Sequence, residues 1–228
     1  MKQTRTRKPV QARAEATRAR ILDVARKHFA ERGFDAANTR DIAQAAEVSH
    51  AMIRYHFTNK DNLWREAMRD MYERLWNEVG LREENEIDLM TMDGFREFLR
   101  RYIHYAARHP EYARIMISES VKGGDRLQWM AEHFIRPAHA RYAEPIRHHM
   151  QTGDLPKVWP VSIIMIVAAI CQMPFVLAGE VEEIYGVDMA SEAAIEAHID
   201  SVFAFLFRDP SRVRSDWPAM TKTVTKTS

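Results

Sequence analysis

The stretch from Thr39 to Phe57 constrains the fold of this chain more than any other. Ile42, Ala43, Ala46, Val48, Ile53 and Phe57 recur at the spacing of two short helices that close a small apolar core between them. Ser49 falls where the N-cap of the second helix belongs. That second helix then presents His50, Arg54, Tyr55 and His56 outward, side chains suited to phosphates and base edges. Two helices and a tight turn of this kind make a helix-turn-helix, whose second helix lies in the DNA major groove.

The rest of the chain is compatible with helices and little else. Only 8 of 228 residues are Gly, strand-like alternation is weak, and Ala, Leu, Met, Glu and Arg are plentiful, so an all-α protein is expected. Charge is unevenly placed. Residues 1–60 hold 13 Lys and Arg against 6 Asp and Glu, which leaves 20 against 26 from totals of 33 and 32. A basic module on an acidic body fits phosphate binding confined to one end. The single cysteine, Cys171, excludes an intramolecular disulfide framework and suits a reducing, cytoplasmic setting. No apolar core follows the basic start, so no secretory signal is expected.

Periodicity divides the chain into about nine helices. Residues 1–12 read as a disordered basic arm containing Pro9, and residues 211–228 as a flexible tail. The first helix runs from near Arg13 to Glu31 with Ile21, Leu22, Ala25 and Phe29 inward, and Gly33 caps it. After the two helices of the motif, a long fourth starts at Asn59-Lys60-Asp61. The fifth starts at Asp93 and stops before Pro110, and the sixth runs from Tyr112 to about Ser120. A seventh, from Asp125 towards Gln151, carries Pro137 and Pro145, which should kink or break it. The eighth is the segment Val158–Gly179, uncharged for about the 20 residues of a membrane span. Pro160, Ser162, Gln172 and Pro174 interrupt it and no Lys or Arg cluster flanks it, so a helix held between its own core and a partner subunit is expected, without membrane insertion. The ninth, near Ser191 to Phe207, has the stripe Ile195, Ile199, Val202, Phe203 and Leu206.

Three separated segments extend the motif: Thr17-Arg18-Ala19-Arg20-Ile21-Leu22-Asp23-Val24-Ala25, then Phe29-Ala30-Glu31-Arg32-Gly33-Phe34, then Tyr55-His56-Phe57-Thr58-Asn59-Lys60-Asp61-Asn62-Leu63. In this order and spacing they resemble the N-terminal domain of the TetR family of bacterial transcriptional regulators. The resemblance covers about the first quarter of the chain; beyond residue 63 it lies in architecture and a few segments. Two positions depart from the family pattern. Glu47 stands at a turn position that is often Gly, and Arg54 at one that is usually Tyr. A Glu forced to positive φ costs on the order of 1 kcal/mol. Arg pairs bidentately with guanine, whereas Tyr packs or contacts phosphate and the thymine methyl.

The resemblance implies a DNA-binding domain over residues 13–60 and a ligand-binding and dimerisation domain over 61–210. It implies that Thr39 opens the second helix beside a phosphate, and that Arg40 meets a phosphate or a guanine edge. Ser49 starts the recognition helix, and His50 and Arg54, one turn apart, face the groove floor. Tyr55 and His56 match the family's backbone-contacting pair, with a packing role open for Tyr55 and a capping role for His56. Lys60 contacts a flanking phosphate. Arg5, Arg7, Lys8 and Arg13 form an arm at the minor groove or backbone, or a solvated one.

For the remainder, the family implies a homodimer through the eighth and ninth helices that reads a palindromic double-stranded DNA operator. It also implies a small-molecule effector whose binding moves the fourth helix and respaces the recognition helices. The candidate effector contacts are Trp76, Tyr102, Tyr105, Met116, Ser120, Trp129, His133, Phe134, Met165, Gln172 and Phe175. Most of them individually read as core before ligand contact, but Gln172 is a neutral amide in an apolar segment and must find partners. Segments around His109-Pro110-Glu111 and from Gln172 to Gly186 are similar to a branch that includes the repressor of pyrimidine breakdown, from which no ligand follows. The alternative is a ligand-independent regulator or activator whose C-terminal domain only dimerises. His133, His139, His148 and His149 are dense, but no metal pattern, phosphate loop or nucleophile elbow accompanies them. Neither enzyme activity, metal nor cofactor is expected.

Overall fold

The computed structural model describes residues 7–82 and 86–208, with side chains from Gln11 onward. Every regular element among them is helical: α1 Arg7–Ala36, α2 Thr39–Ala45, α3 His50–His56, α4 Lys60–Val79, α5 Met92–Arg108, α6 Pro110–Lys122, α7 Asp125–Met130, a π-helical turn Ala131–Ile135, α8 Arg136–Thr152, α9 Pro160–Val176, α10 Ala178–Tyr185 and α11 Glu192–Leu206. Two compact units divide the described chain. One holds residues through Glu73 together with Arg114–Lys122, the other Arg74–Ala113 and residues from Gly123.

In the first unit α1 buries the expected Ile21, Leu22, Ala25 and Phe29. It starts at Arg7, earlier than the arm expected through residue 12 allows. Arg, Lys, Gln and Ala are good helix formers, and Pro9 sits in the first turn, where its missing N–H costs no hydrogen bond. Arg5 and the tail 211–228 lie outside the described residues, as do the side chains of Arg7 and Lys8. Gly33, at φ 71°, breaks the helical path as expected of a cap. Arg26 is buried to 1% exposure, its guanidinium held by Asp23 at 2.8 Å and by Asp70 of α4. A buried cation paired on both sides of a helix contact fixes register more than it adds stability.

The second unit is organised about α5, which packs against α9 and α11. Its buried side chains are Phe95, Phe98, Leu99, Ile103, Tyr105 and Ala106, and Thr91 caps it by accepting from the Gly94 N–H at 3.1 Å. All five residues of the α11 stripe are buried. Cys171 of α9 is buried as well.

Proline explains why nine expected helices resolve into eleven. Pro137 has no N–H to give the carbonyl one turn back, and just before it the Arg136 N–H reaches Ala131 O, five residues away, closing a π turn. The expected seventh helix is therefore α7, the π turn and α8; Pro145 is accommodated inside α8. Pro174 likewise cannot donate to Ile170 O. That carbonyl instead accepts from His198 Nε2 of α11, at 2.7 Å. Beyond it the chain bends by 64° between α9 and α10. Among the described residues no single helix is long and apolar enough to cross a membrane; the bent pair passes by length and composition alone.

Candidate nucleic-acid interface

The helix-turn-helix is built as its sequence requires. Asn38 opens α2 by accepting from the Arg40 N–H at 2.9 Å. At the other end the Val48 N–H reaches Ala43 O and the Glu47 N–H reaches Gln44 O, both at 3.0 Å. This is a Schellman closure, which needs a left-handed residue, and Glu47 supplies it at φ 53°. Ile42, Ala43, Ala46, Ile53 and Phe57 are buried between the helices. Ser49 has the extended backbone of an N-cap, yet its side chain makes no capping bond.

Outward, α2 and α3 carry the polar face read from the sequence. Thr39 Oγ1 lies 3.1 Å from His50 Nε2, so the first residue of α2 and the first of α3 form one hydrogen-bonded pair. Arg40 and Arg54 are exposed, and their side chains make no ion pair or hydrogen bond among the described residues. Other arginines of this unit are engaged: Arg18 with Glu66, Arg32 with Asp41, Arg65 with Asp61 and Arg69 with Glu66. Arg40 and Arg54 thus remain available for anions.

Three expected contacts take a different form. Tyr55 is 77% exposed, which removes the packing role. His56 is half-buried, its Nε2 finds no partner among the described residues, and burial, with the Arg18 charge second, lowers its pKa below the usual imidazole value. A neutral ring with one nitrogen sealed off is a poor phosphate ligand. Lys60 donates from Nζ to Asp35 O at 3.0 Å and stands 4.7 Å over the Phe34 ring. To reach a phosphate it must leave both.

The residues expected around an effector fall into separate groups. Met116 and Ser120 belong to the first unit, where Tyr72 donates to Met116 Sδ and Ser120 is exposed. In the second, Trp76, Trp129, His133 and Phe134 form one aromatic cluster, with Trp129 and Phe134 centroids 5.3 Å apart. Tyr105 stacks near His109 and Tyr112. Phe175 packs on His198, while Met165 is 53% exposed on α9. Gln172 finds its partner in Tyr102, to whose hydroxyl its amide donates. Burial, then the neighbouring Tyr112, Cys171 and Tyr142, holds the Tyr102 phenol well above its usual range. Tyr142 and His198 carry no local signal in the sequence, each lying far along the chain from the group it meets, whereas Tyr112 is close in sequence to both Tyr102 and Tyr105. A cleft of 530 Å³ opens instead along Glu86–Met90, Arg141 and Pro145, and none of the expected contacts lines it.

Residues 21–67 match the family described as bacterial regulatory proteins, tetR family, and residues 92–205 match the tetracyclin repressor-like C-terminal domain. The transcriptional repressor NicS of Pseudomonas putida is 30% identical over 113 residues, 49% of this chain and 51% of NicS. The transcriptional regulator RutR of Escherichia coli K12 is 22% identical over 187 residues, 82% of this chain and 87% of RutR. The chain spans about half or less of the length of the first curated relatives it matches. The solved structure of AibR with isovaleryl coenzyme A and operator DNA shares the fold at TM-score 0.63 and 17% identity, covering 84% of this chain and 98% of AibR. These relatives are regulators of transcription rather than enzymes. With matches in both parts of the sequence, one of them covering half of it, the chain belongs to the TetR family of bacterial regulatory proteins.

Proposed function

We propose that the protein is a homodimeric, ligand-responsive transcriptional repressor that releases a palindromic operator when a small molecule binds its C-terminal domain. The observation that carries the DNA-binding half is the exposed face of α2 and α3, where Arg40 and Arg54 are unpaired while neighbouring arginines are not. In this reading Thr39, Ser49, Tyr55 and Lys60 meet the DNA backbone, Arg40 meets a phosphate or a guanine edge, His50 and Arg54 meet base edges, and His56 packs its ring against Tyr55 and Phe57. Residues 13–60 form the DNA-binding domain and 61–210 the regulatory one. The protein acts in the cytoplasm, on double-stranded DNA.

Dimerisation is supported by α9 to α11. Trp159, Val161, Met165, Ile166, Leu177 and Phe205 are large apolar side chains left exposed there, and a second copy would cover them. A seven-residue recognition helix offers too little surface alone, so two half-sites are read together. The AibR structure, holding both an acyl-CoA and operator DNA, supports an effector in this fold without giving its identity here. The close packing of Tyr105, Trp129, Phe134 and Phe175 favours the second reading, a regulator whose C-terminal domain only dimerises.

Selection of bound sequences from a random duplex library tests the first half: a palindromic consensus is expected, and no enrichment over non-specific binding would overturn it. Titration of the selected duplex complex with metabolite pools then separates the readings. Release identifies a sensor; unchanged binding leaves the ligand-independent regulator.

A further inference from the structure

Away from the helix-turn-helix, α5 and α11 bring three metal-ligating side chains together. His104 comes from α5, and Glu192 and Glu196, one helical turn apart, come from α11. One ligand atom from each lies within 4.8 Å of the other two. Bonds of about 2.0–2.2 Å from a shared cation to nitrogen and oxygen need only modest side-chain rotation from there. Glu192 is exposed, while His104 and Glu196 are half-buried, so one side stays open for water to complete a coordination shell.

The group is already oriented by its surroundings. His104 Nε2 donates to Glu196 Oε1 at 3.1 Å, and Arg100 Nη1 donates to Oε2 at 2.9 Å. The guanidinium of Arg100 in turn lies 5.7 Å over the Phe203 ring. Arg100 therefore fixes one carboxylate oxygen and leaves the other aimed at the imidazole, the outer support that metal ligands commonly have. Glu192 has no ion-pair partner among the described residues. The N-terminus of α11 accounts for an acid in its first turn. It does not account for an imidazole and a second carboxylate converging on the same point.

We propose that His104, Glu192 and Glu196 bind a divalent transition cation, of the Zn²⁺ type, that ties α5 to α11. An imidazole with two carboxylates suits borderline cations better than Mg²⁺ or Ca²⁺, which favour all-oxygen shells. No local sequence pattern marks this group, because His104 and Glu196 are 92 residues apart.

The test uses the full chain, stripped with a chelator and titrated with Co²⁺ by visible absorption and with Zn²⁺ by calorimetry, beside His104→Ala and Glu192→Gln. One cation per copy is expected, with a d–d spectrum, a metal-dependent rise in Tm, and affinity at least ~tenfold weaker in each variant. Glu192→Gln is near-isosteric at an exposed position, so it decides the matter if His104→Ala fails to fold. No stoichiometric binding, or equal binding by the wild type and Glu192→Gln, overturns the site.

Discussion

Arg54 and Lys60 are both cations of the DNA-binding unit, yet their surroundings assign them different work. Arg54 is exposed and uncommitted, so Arg54→Ala should leave Tm unchanged, cost about 1–3 kcal/mol on cognate DNA and relax one base position. Equal weakening on every sequence, measured by competition binding, would remove it from base readout. Lys60 closes the start of α4 onto Asp35 and Phe34. Lys60→Ala should lower binding uniformly and flatten the salt dependence by about one unit. A lower Tm with an unchanged salt slope would make it a structural tie instead. Glu47 is the third telling residue. Its φ is 53° and its side chain is exposed, so Glu47→Gly should raise stability by about 1 kcal/mol in urea unfolding. No gain would mean that the added chain entropy of glycine offsets the relieved strain.

Elements with a one-sided apolar stripe were legible before any coordinates. The inward residues of α1 and the stripe of α11 follow from periodicity alone, because it reports which side of a helix meets the core. Where prolines interrupt a helix, their positions were legible but the repairs were not. The Ile170 carbonyl loses its donor to Pro174 and recovers one from His198, a residue of another helix that no local pattern connects to it. His198→Ala should therefore leave that part-buried carbonyl without its donor and cost on the order of 1 kcal/mol. Adding Pro174→Ala supplies a backbone N–H to the same oxygen, so the double variant should regain much of that loss. Strictly additive losses in a double-mutant cycle would break the connection. The candidate DNA face was legible for the same reason as the stripes, being local; the grouping of the aromatic and Met side chains was not, because in helices such residues are core as readily as they are pocket.

At the scale of the molecule, titration sets the limits of stability. Burial lowers the pKa of His56, His139 and His198, so the unfolded chain takes up protons below the ordinary 6.5 more readily than the folded one does. Stability from these groups is full above that value and is lost as the pH falls through it. Asp154, held below its usual range chiefly by the Thr152 hydroxyl and then by His149, adds a loss in the same direction at more acid pH. The Tyr102 phenol acts at the other end: its proton is kept in the folded state past 10.0, so stability declines above that. Thermal unfolding should give a plateau between roughly pH 7 and 9 with Tm falling on both sides. A Tm unchanged between pH 7.5 and 5 would show that these imidazoles reach water.

The interior of the second unit also contains its own reporter. Cys171 is the only thiol in the chain, fully buried, and its pKa is pushed up to about 12 by burial. Neither the reactive thiolate nor access to a reagent exists until α9 lifts from its neighbours. The rate at which a thiol reagent modifies the unaltered protein thus counts the openings of that core, one chemical event per opening, with no label to introduce and no second cysteine to confuse it. A small molecule that settles into the unit should slow that clock.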